Sequence, residues 1–135
     1  MKNSRFAVAI HILALASIQP NATSDFIASS VNTNPVVIRR ISSMLKKAGL
    51  LTSQAGIPGV TLTKEPSAIT LLDIYRAIQS EDQSTFSMHE NPNPNCVVGR
   101  NIQTTLEKKF CEAQKAMENE LASQTLTDIL EDLLQ

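Results

Sequence analysis

Asn34-Pro35-Val36-Val37-Ile38-Arg39-Arg40-Ile41-Ser42-Ser43-Met44-Leu45-Lys46-Lys47-Ala48-Gly49 is the stretch whose pattern decides the fold. Asn34 is a good N-cap, and Pro35 suits the first helical position, where its missing N–H would have no partner anyway. Gly49 is a natural stop. With a helix over residues 35–48, Val37, Ile38, Ile41, Met44, Leu45 and Ala48 fall within about 60° of Ile41, an arc suited to a core. The opposite arc carries Val36, Arg39, Arg40, Ser42, Ser43, Lys46 and Lys47, with no acid among them. A solvated helix usually mixes signs there.

On the N-terminal side, Thr23 or Ser24 caps a short helix running through Phe26, Ile27 and Val31, and Asn32-Thr33-Asn34 makes a turn. On the C-terminal side, strand-like Leu50-Leu51-Thr52-Ser53 is followed by a turn through Gly56, Pro58 and Gly59. A second strand-like run, Val60-Thr61-Leu62-Thr63, completes a β-hairpin. Helix, three-residue turn, one-signed helix and hairpin together predict a winged helix-turn-helix. In that geometry the start of the second helix meets base edges in the major groove. Asn34, Val36, Arg39 and Arg40 are therefore the candidate base contacts, with Asn suited to adenine, Arg to guanine and a branched methyl to thymine. Arg5, Ser43, Lys46, Lys47 and Lys64 are the candidate phosphate contacts, which position without selecting sequence.

The flanking pattern is mainly helical. A helix is expected over residues 4–18, entered from Asn3 or Ser4 and stopped by Gln19-Pro20-Asn21, with Phe6, Ile10, Leu13 and Ala14 on one face. Lys2, Arg5 and the apolar run after them also mimic a signal peptide, although His11 interrupts that run. Thr70 with Asp73 three residues on predicts a capped helix over Leu71–Ile78. A loop containing Asn91-Pro92-Asn93-Pro94-Asn95 follows. From Gly99 or Arg100 to about Ala122, Ile102, Leu106, Phe110, Ala113, Met117 and Leu121 recur at helical spacing. Thr125 with Asp128 predicts a last capped helix carrying Ile129, Leu130, Leu133 and Leu134. The fold class is mainly α with a small hairpin wing, divided as a DNA-binding domain over 1–79, a loop over 80–98 and helices over 99–135.

Composition agrees with a globular chain: 135 residues, 42% hydrophobic and 19% charged. The net charge of −1 hides a segregation. Residues 1–65 carry seven basic and two acidic side chains, net +5; the remainder carries five basic and eleven acidic, net −6. A basic module is what a phosphate backbone requires. Two cysteines, Cys96 and Cys111, are too few for a disulfide scaffold and match no zinc spacing, which favours a reducing cytoplasm. No stretch is long enough to span a bilayer. No Ser/His/Asp, metal-ligand or phosphate-loop constellation points to an enzyme.

Four pieces of the chain, in order, resemble the Rrf-two family of bacterial transcription regulators. They are Arg5-Phe6-Ala7-Val8-Ala9-Ile10-His11, the 34–51 segment already quoted with Leu50-Leu51, Cys96-Val97-Val98-Gly99, and Leu126-Thr127-Asp128-Ile129-Leu130. The resemblance covers nearly the whole length. It implies a winged-helix fold, a palindromic operator, and a homodimer built along the long helix, for which Ile102, Leu106, Phe110, Ala113 and Met117 are the candidate residues. It also favours a DNA-binding module over a signal peptide for the start of the chain. Two departures stand out. The family's wing, Arg-Gly-x-x-Gly-Gly, is replaced by Ser53-Gln54-Ala55-Gly56-Ile57-Pro58-Gly59, without its Arg. Cluster-binding members carry three cysteines ahead of the long helix, and only Cys96 stands there, so no iron–sulfur cluster or other cofactor is expected.

Cys96, just ahead of a helix N-terminus, is a candidate redox or effector residue because the unpaired N–H groups there favour thiolate. Cys111 is expected to be buried packing, His11 a satisfied core or interface residue and His89 a loop residue; no metal site is expected. The sequence thus supports a DNA-binding regulator, a repressor in the simplest case, with an oxidant or small molecule as effector. An interaction module that uses its basic helix on an acidic protein remains open.

Overall fold

The computed structural model describes residues 4–79, 86 and 88–135. Lys2 and the alternative cap Asn3 lie outside them, as do residues 80–85 and 87 of the expected loop. Met1–Gln79 with Ala122–Gln135 form one compact unit, and Ser80–Leu121 a second.

In the first unit, α1 (Arg5–Ile18) is followed by α2 (Ser24–Val31) and α3 (Pro35–Lys47). α1 is entered at Ser4 without a side-chain cap. It packs against α2, α3, α4, α6 and the hairpin. That central place makes its buried surface wider than one face: Ala9, Ile12, Leu13, Ala14 and Ala16 are buried, while Phe6 and Ile10 are only half-buried. Four of these being alanine or smaller than a full aliphatic is absent by chance of neither; small residues let neighbouring helices approach a central one closely.

α2 begins at Thr23, whose hydroxyl accepts the Phe26 N–H. Ile27 and Ala28 are its buried residues, and Phe26 stands out to solvent. Asn32 ends it in the left-handed region at φ +65°, a conformation asparagine tolerates better than most residues. α3 begins as expected, with Asn34 Oδ1 accepting the Val36 N–H at 2.8 Å and Pro35 at the first position. Its end is a Schellman arrangement: Gly49 N–H donates to Lys46 O, Leu50 N–H donates to Leu45 O, and Gly49 sits at φ +81°. Leu45 and Leu50, the hydrophobic pair such an ending brings together, are both buried.

The hairpin pairs β1 (Leu51–Gln54) with β2 (Ile57–Leu62) through Leu51 opposite Leu62, Thr52 opposite Thr61 and Gln54 opposite Ile57. The turn is tighter than expected. Ala55 and Gly56 alone connect the strands, while Pro58 and Gly59 lie inside β2 at an irregularity in the pairing. A distant contact explains this. Val60 N–H donates to Ala22 O, and a Cβ on Gly59 would collide with the Asn21 carbonyl. The loop between α1 and α2 thus lies against β2, where only glycine fits.

A short 3-10 turn, Pro66–Ala68, leads to α4 (Leu71–Ile78). α6 (Leu126–Leu133) belongs with this unit and not with the long helix that precedes it in sequence. Leu71 N–H donates to Gln124 O and Leu126 N–H donates to Ile69 O, so the starts of α4 and α6 are tied together by backbone bonds. Each start carries a complete capping box, Thr70 with Asp73 and Thr125 with Asp128. Ile69 and Leu126 are both fully buried. The expected grouping of residues 99–135 is corrected at α6.

The second unit contains α5 (Val97–Ala122), which starts two residues before the expected Gly99. None of its residues is buried. Ile102, Leu106, Phe110, Gln114, Met117 and Leu121 are half-buried, and Phe86 stacks on Phe110 with ring centroids 5.5 Å apart. Ala113 and Cys111 are exposed, so Cys111 is not the buried packing residue expected.

Candidate nucleic-acid interface

α3 meets two opposite demands along 13 residues, a length of about 20 Å. Ile38, Ile41 and Leu45 are each no more than 1% exposed and pack toward α1, α2 and α4. Ser42, assigned by spacing to the outer arc, is buried at 5% exposure, because neighbours on several sides widen the covered surface. Ala48 changes sides the other way: as the cap residue of the helix it is exposed.

What remains outside is Val36, Arg39, Arg40, Ser43, Lys46 and Lys47, all exposed. Val36, Arg40, Ser43 and Lys47 follow one another at four, three and four residues, which aligns them along one stripe. The stripe is apolar at its start and cationic at its end. Asn34 also lies exposed at the first turn, but its side-chain oxygen accepts the Val36 N–H. Bidentate reading of adenine needs that oxygen as well as the amide N–H. Asn34 is therefore left with its amide donors, which suit a phosphate or a single acceptor, and the expectation of a bidentate adenine contact is set aside on this ground.

The other expected phosphate ligands are less alike. Lys64 is exposed beyond β2 and borders a shallow cavity with Ala48, Leu50, Asp73, Arg76 and Ala77, beside the end of α3. Arg5, the first residue of α1, is half-buried and engaged within the chain, so it is not a free cation of the kind expected. His11 Nε2 lies 2.9 Å from Ser30 Oγ and joins α1 to α2, in line with a structural histidine. Phe26, exposed on the first turn of α2, was not singled out by sequence spacing, because its helix is too short for periodicity to separate faces.

In the second unit, Cys96 is exposed immediately before α5. The backbone N–H groups of Gly99 and Val98 hold its thiol below the usual value. Gly99 is required here, because a Cβ would meet the Asn93 carbonyl that accepts the Cys96 N–H. The donor set does not fit an iron–sulfur cluster. Cys111, the other cysteine, lies fifteen residues further along, about 22 Å on a helix, and cannot share a cluster with Cys96 of the same chain. Among the described residues no group of three or more His, Cys, Asp or Glu could hold a metal ion.

With this geometry in view, comparison with known proteins is direct. The family described as "Rrf2: Iron-dependent Transcriptional regulator" matches residues 2–132. The chain is 56% identical over 133 residues to YwnA of Bacillus subtilis (strain 168), assigned as an HTH-type transcriptional regulator, covering 98% of this chain and 99% of that one. A crystal structure of a protein assigned as DNA-binding is 52% identical, with a TM-score of 0.80 over 94% of this chain and 99% of that chain. The structure of CymR, the global cysteine regulator of B. subtilis, is 24% identical with a TM-score of 0.68, covering 97% of this chain and 96% of the other, and supports the fold alone.

Proposed function

This chain belongs to the Rrf2 family of transcriptional regulators, and on that premise we propose that it represses transcription as a homodimer bound to a palindromic operator. It is a DNA-binding regulator with a winged-helix fold. The observation that carries the finer reading is the outer stripe of α3, with Val36, Arg39 and Arg40 near its free start and Lys46 and Lys47 at its end. Val36, Arg39 and Arg40 meet base edges, with Arg40 and Arg39 donating to guanine and Val36 covering a thymine methyl. Lys46, Lys47, Ser43 and Lys64 hold phosphates, and Asn34 joins them through its amide donors.

The homodimer is supported by α5, a 26-residue helix with an apolar ridge and no buried residue. A second copy laid along Ile102, Leu106, Phe110, Ala113 and Met117 would cover that ridge. Two copies would present two α3 helices to two half-sites, which is why the operator is expected to be palindromic. The work is done in the cytoplasm, where the DNA is; among the described residues no helix is long and apolar enough to cross a membrane.

Selection of bound duplexes from a random DNA pool tests this directly. A palindromic motif should emerge, and its binding should weaken steeply between about 50 and 200 mM salt. Binding that is equal for all sequences, or confined to an acidic protein, would replace the regulator with an interaction module. The lowered Cys96 thiol adds a signal to this scheme: hydrogen peroxide transfers an oxygen to the thiolate, giving sulfenate and water, and DNA is released. Repeating the selection with peroxide, and with Cys96→Ser, separates a thiol-dependent release from damage elsewhere.

A further inference from the structure

The wing of this protein carries no charge. From Leu50 to Thr63 there is not one acidic or basic side chain, and every residue from Thr52 to Pro58 is exposed. At the tip Ile57, a β-branched aliphatic, is 46% exposed and is followed by Pro58. Nothing about hairpin stability asks for an isoleucine in water at that place, since its cross-strand partner is Gln54. The hairpin is also firmly seated. Val60 N–H donates to Ala22 O, Gly59 lies against the Asn21 carbonyl, Leu50 N–H is bonded to Leu45 O of α3, and Thr63 Oγ1 donates to Gly49 O. The tip is therefore held at a set position beside the cationic helix.

We infer that the Ile57–Pro58 tip enters the minor groove next to the half-site read by α3, and that it selects A·T pairs there by shape and not by charge. It rests on the DNA-binding assignment above and names what the wing reads. The minor groove is about 6 Å wide, and its floor differs between pairs mainly in the guanine N2 amino group, which stands up only at G·C. An alkyl side chain cannot accept a hydrogen bond from that amino group, so burying it there strands a donor and costs van der Waals contact. Over A·T the floor is smoother, and Ile and Pro are among the side chains that minor-groove proteins press against or between base steps. Because the tip is uncharged, its contribution displaces no counterions and is independent of salt, unlike that of α3. A wing pre-set by its backbone bonds also loses little entropy on docking.

Base analogues that alter only the minor groove provide the test, with the full chain and the tightest duplex recovered from the random pool. Inosine in place of guanine removes the N2 amino group and leaves the major-groove edge unchanged; 2,6-diaminopurine in place of adenine adds one. Scanned across positions flanking the α3 contacts, diaminopurine should weaken wild-type binding about tenfold at one or two pairs, and inosine should restore binding where G·C has been introduced. Ile57→Ser should abolish both responses and leave the slope of affinity against salt unchanged; Pro58→Ser, also at an exposed position, should reduce them. If binding is sequence-specific but indifferent to both analogues, the wing inference is overturned and the regulator assignment stands. If Ile57→Ser lowers affinity with the analogue response intact, the tip meets something other than the minor groove and the inference also falls. Loss of all sequence preference in the wild type would remove the operator reading and this one with it.

Discussion

α3 and α5 are both amphipathic helices with four basic residues each, yet they dispose of their surfaces in opposite ways. α3 buries four of its 13 residues and leaves outside only cations, small polar groups and Val36. α5 buries none of its 26, and its Arg100, Lys108, Lys109 and Lys115 are interspersed with Glu107, Glu112, Glu118 and Glu120. The second is what a solvated helix looks like: signs alternate, and neighbours such as Gln114 and Glu118 bond along the surface. The same chain therefore supplies the control for reading α3. An excess of one sign on α3 is a property of that helix and not of the composition, and it costs self-repulsion that a polyanion would relieve.

The difference can be attacked from its strongest side first. Ile41→Ala removes a side chain that is 1% exposed, and should destabilise the first unit by about 2–5 kcal/mol in a denaturant titration. A loss below about 1 kcal/mol would mean that α3 is not anchored by that face. Leu106→Glu places a charge on the half-buried ridge of α5; sedimentation should then report a monomer where the wild type is a dimer. An unchanged mass would take the ridge out of the proposed dimer seam. Arg40→Ala should cost about 1–3 kcal/mol of operator affinity and relax preference at one base pair of each half-site, whereas Lys47→Ala should weaken all sequences alike and reduce the salt slope by about 1. Identical effects from the two would erase the division of the stripe into base and phosphate ends. The smallest effect belongs to the control helix. Lys108→Ala should leave DNA affinity within about 0.5 kcal/mol of wild type, and a loss as large as that of Lys47→Ala would extend the DNA surface to α5.

The alkylation rate of Cys96 sharpens the contrast between the units from another direction. Because its thiol is held below the usual value, thiolate is present at pH values where a free cysteine is still protonated. Its iodoacetamide reaction should therefore reach half-maximal rate at lower pH than that of a free cysteine. Gly99→Ala, which crowds the Asn93 carbonyl, should move the midpoint back up.

Much of this architecture is written in short spans of sequence. The Thr23, Asn34, Thr70 and Thr125 caps, the two capping boxes and the Gly49 stop each depend on residues at most five apart, and each occurs where the pattern predicts it. The winged helix-turn-helix follows from their order, and so does the one-signed face of α3. The base-proximal stripe was legible too, apart from Asn34, whose cap and whose expected adenine contact compete for one oxygen.

Where spacing misled, the cause was a neighbour distant in the chain. Ser42 is buried because several helices close over α3, and a wheel drawn for one partner cannot anticipate that. Pro58 and Gly59 look like a turn, but the Asn21–Ala22 backbone draws them into a strand. α6 looks like the continuation of α5, but Ile69 and Leu126 meet across 57 positions of sequence and bind it to the first unit. The sequence alone determined the elements and their order, because caps, stops and amphipathic periods are satisfied by near neighbours. Only the tertiary structure decided which sides of those elements are covered, because burial depends on which surfaces the folded chain brings together.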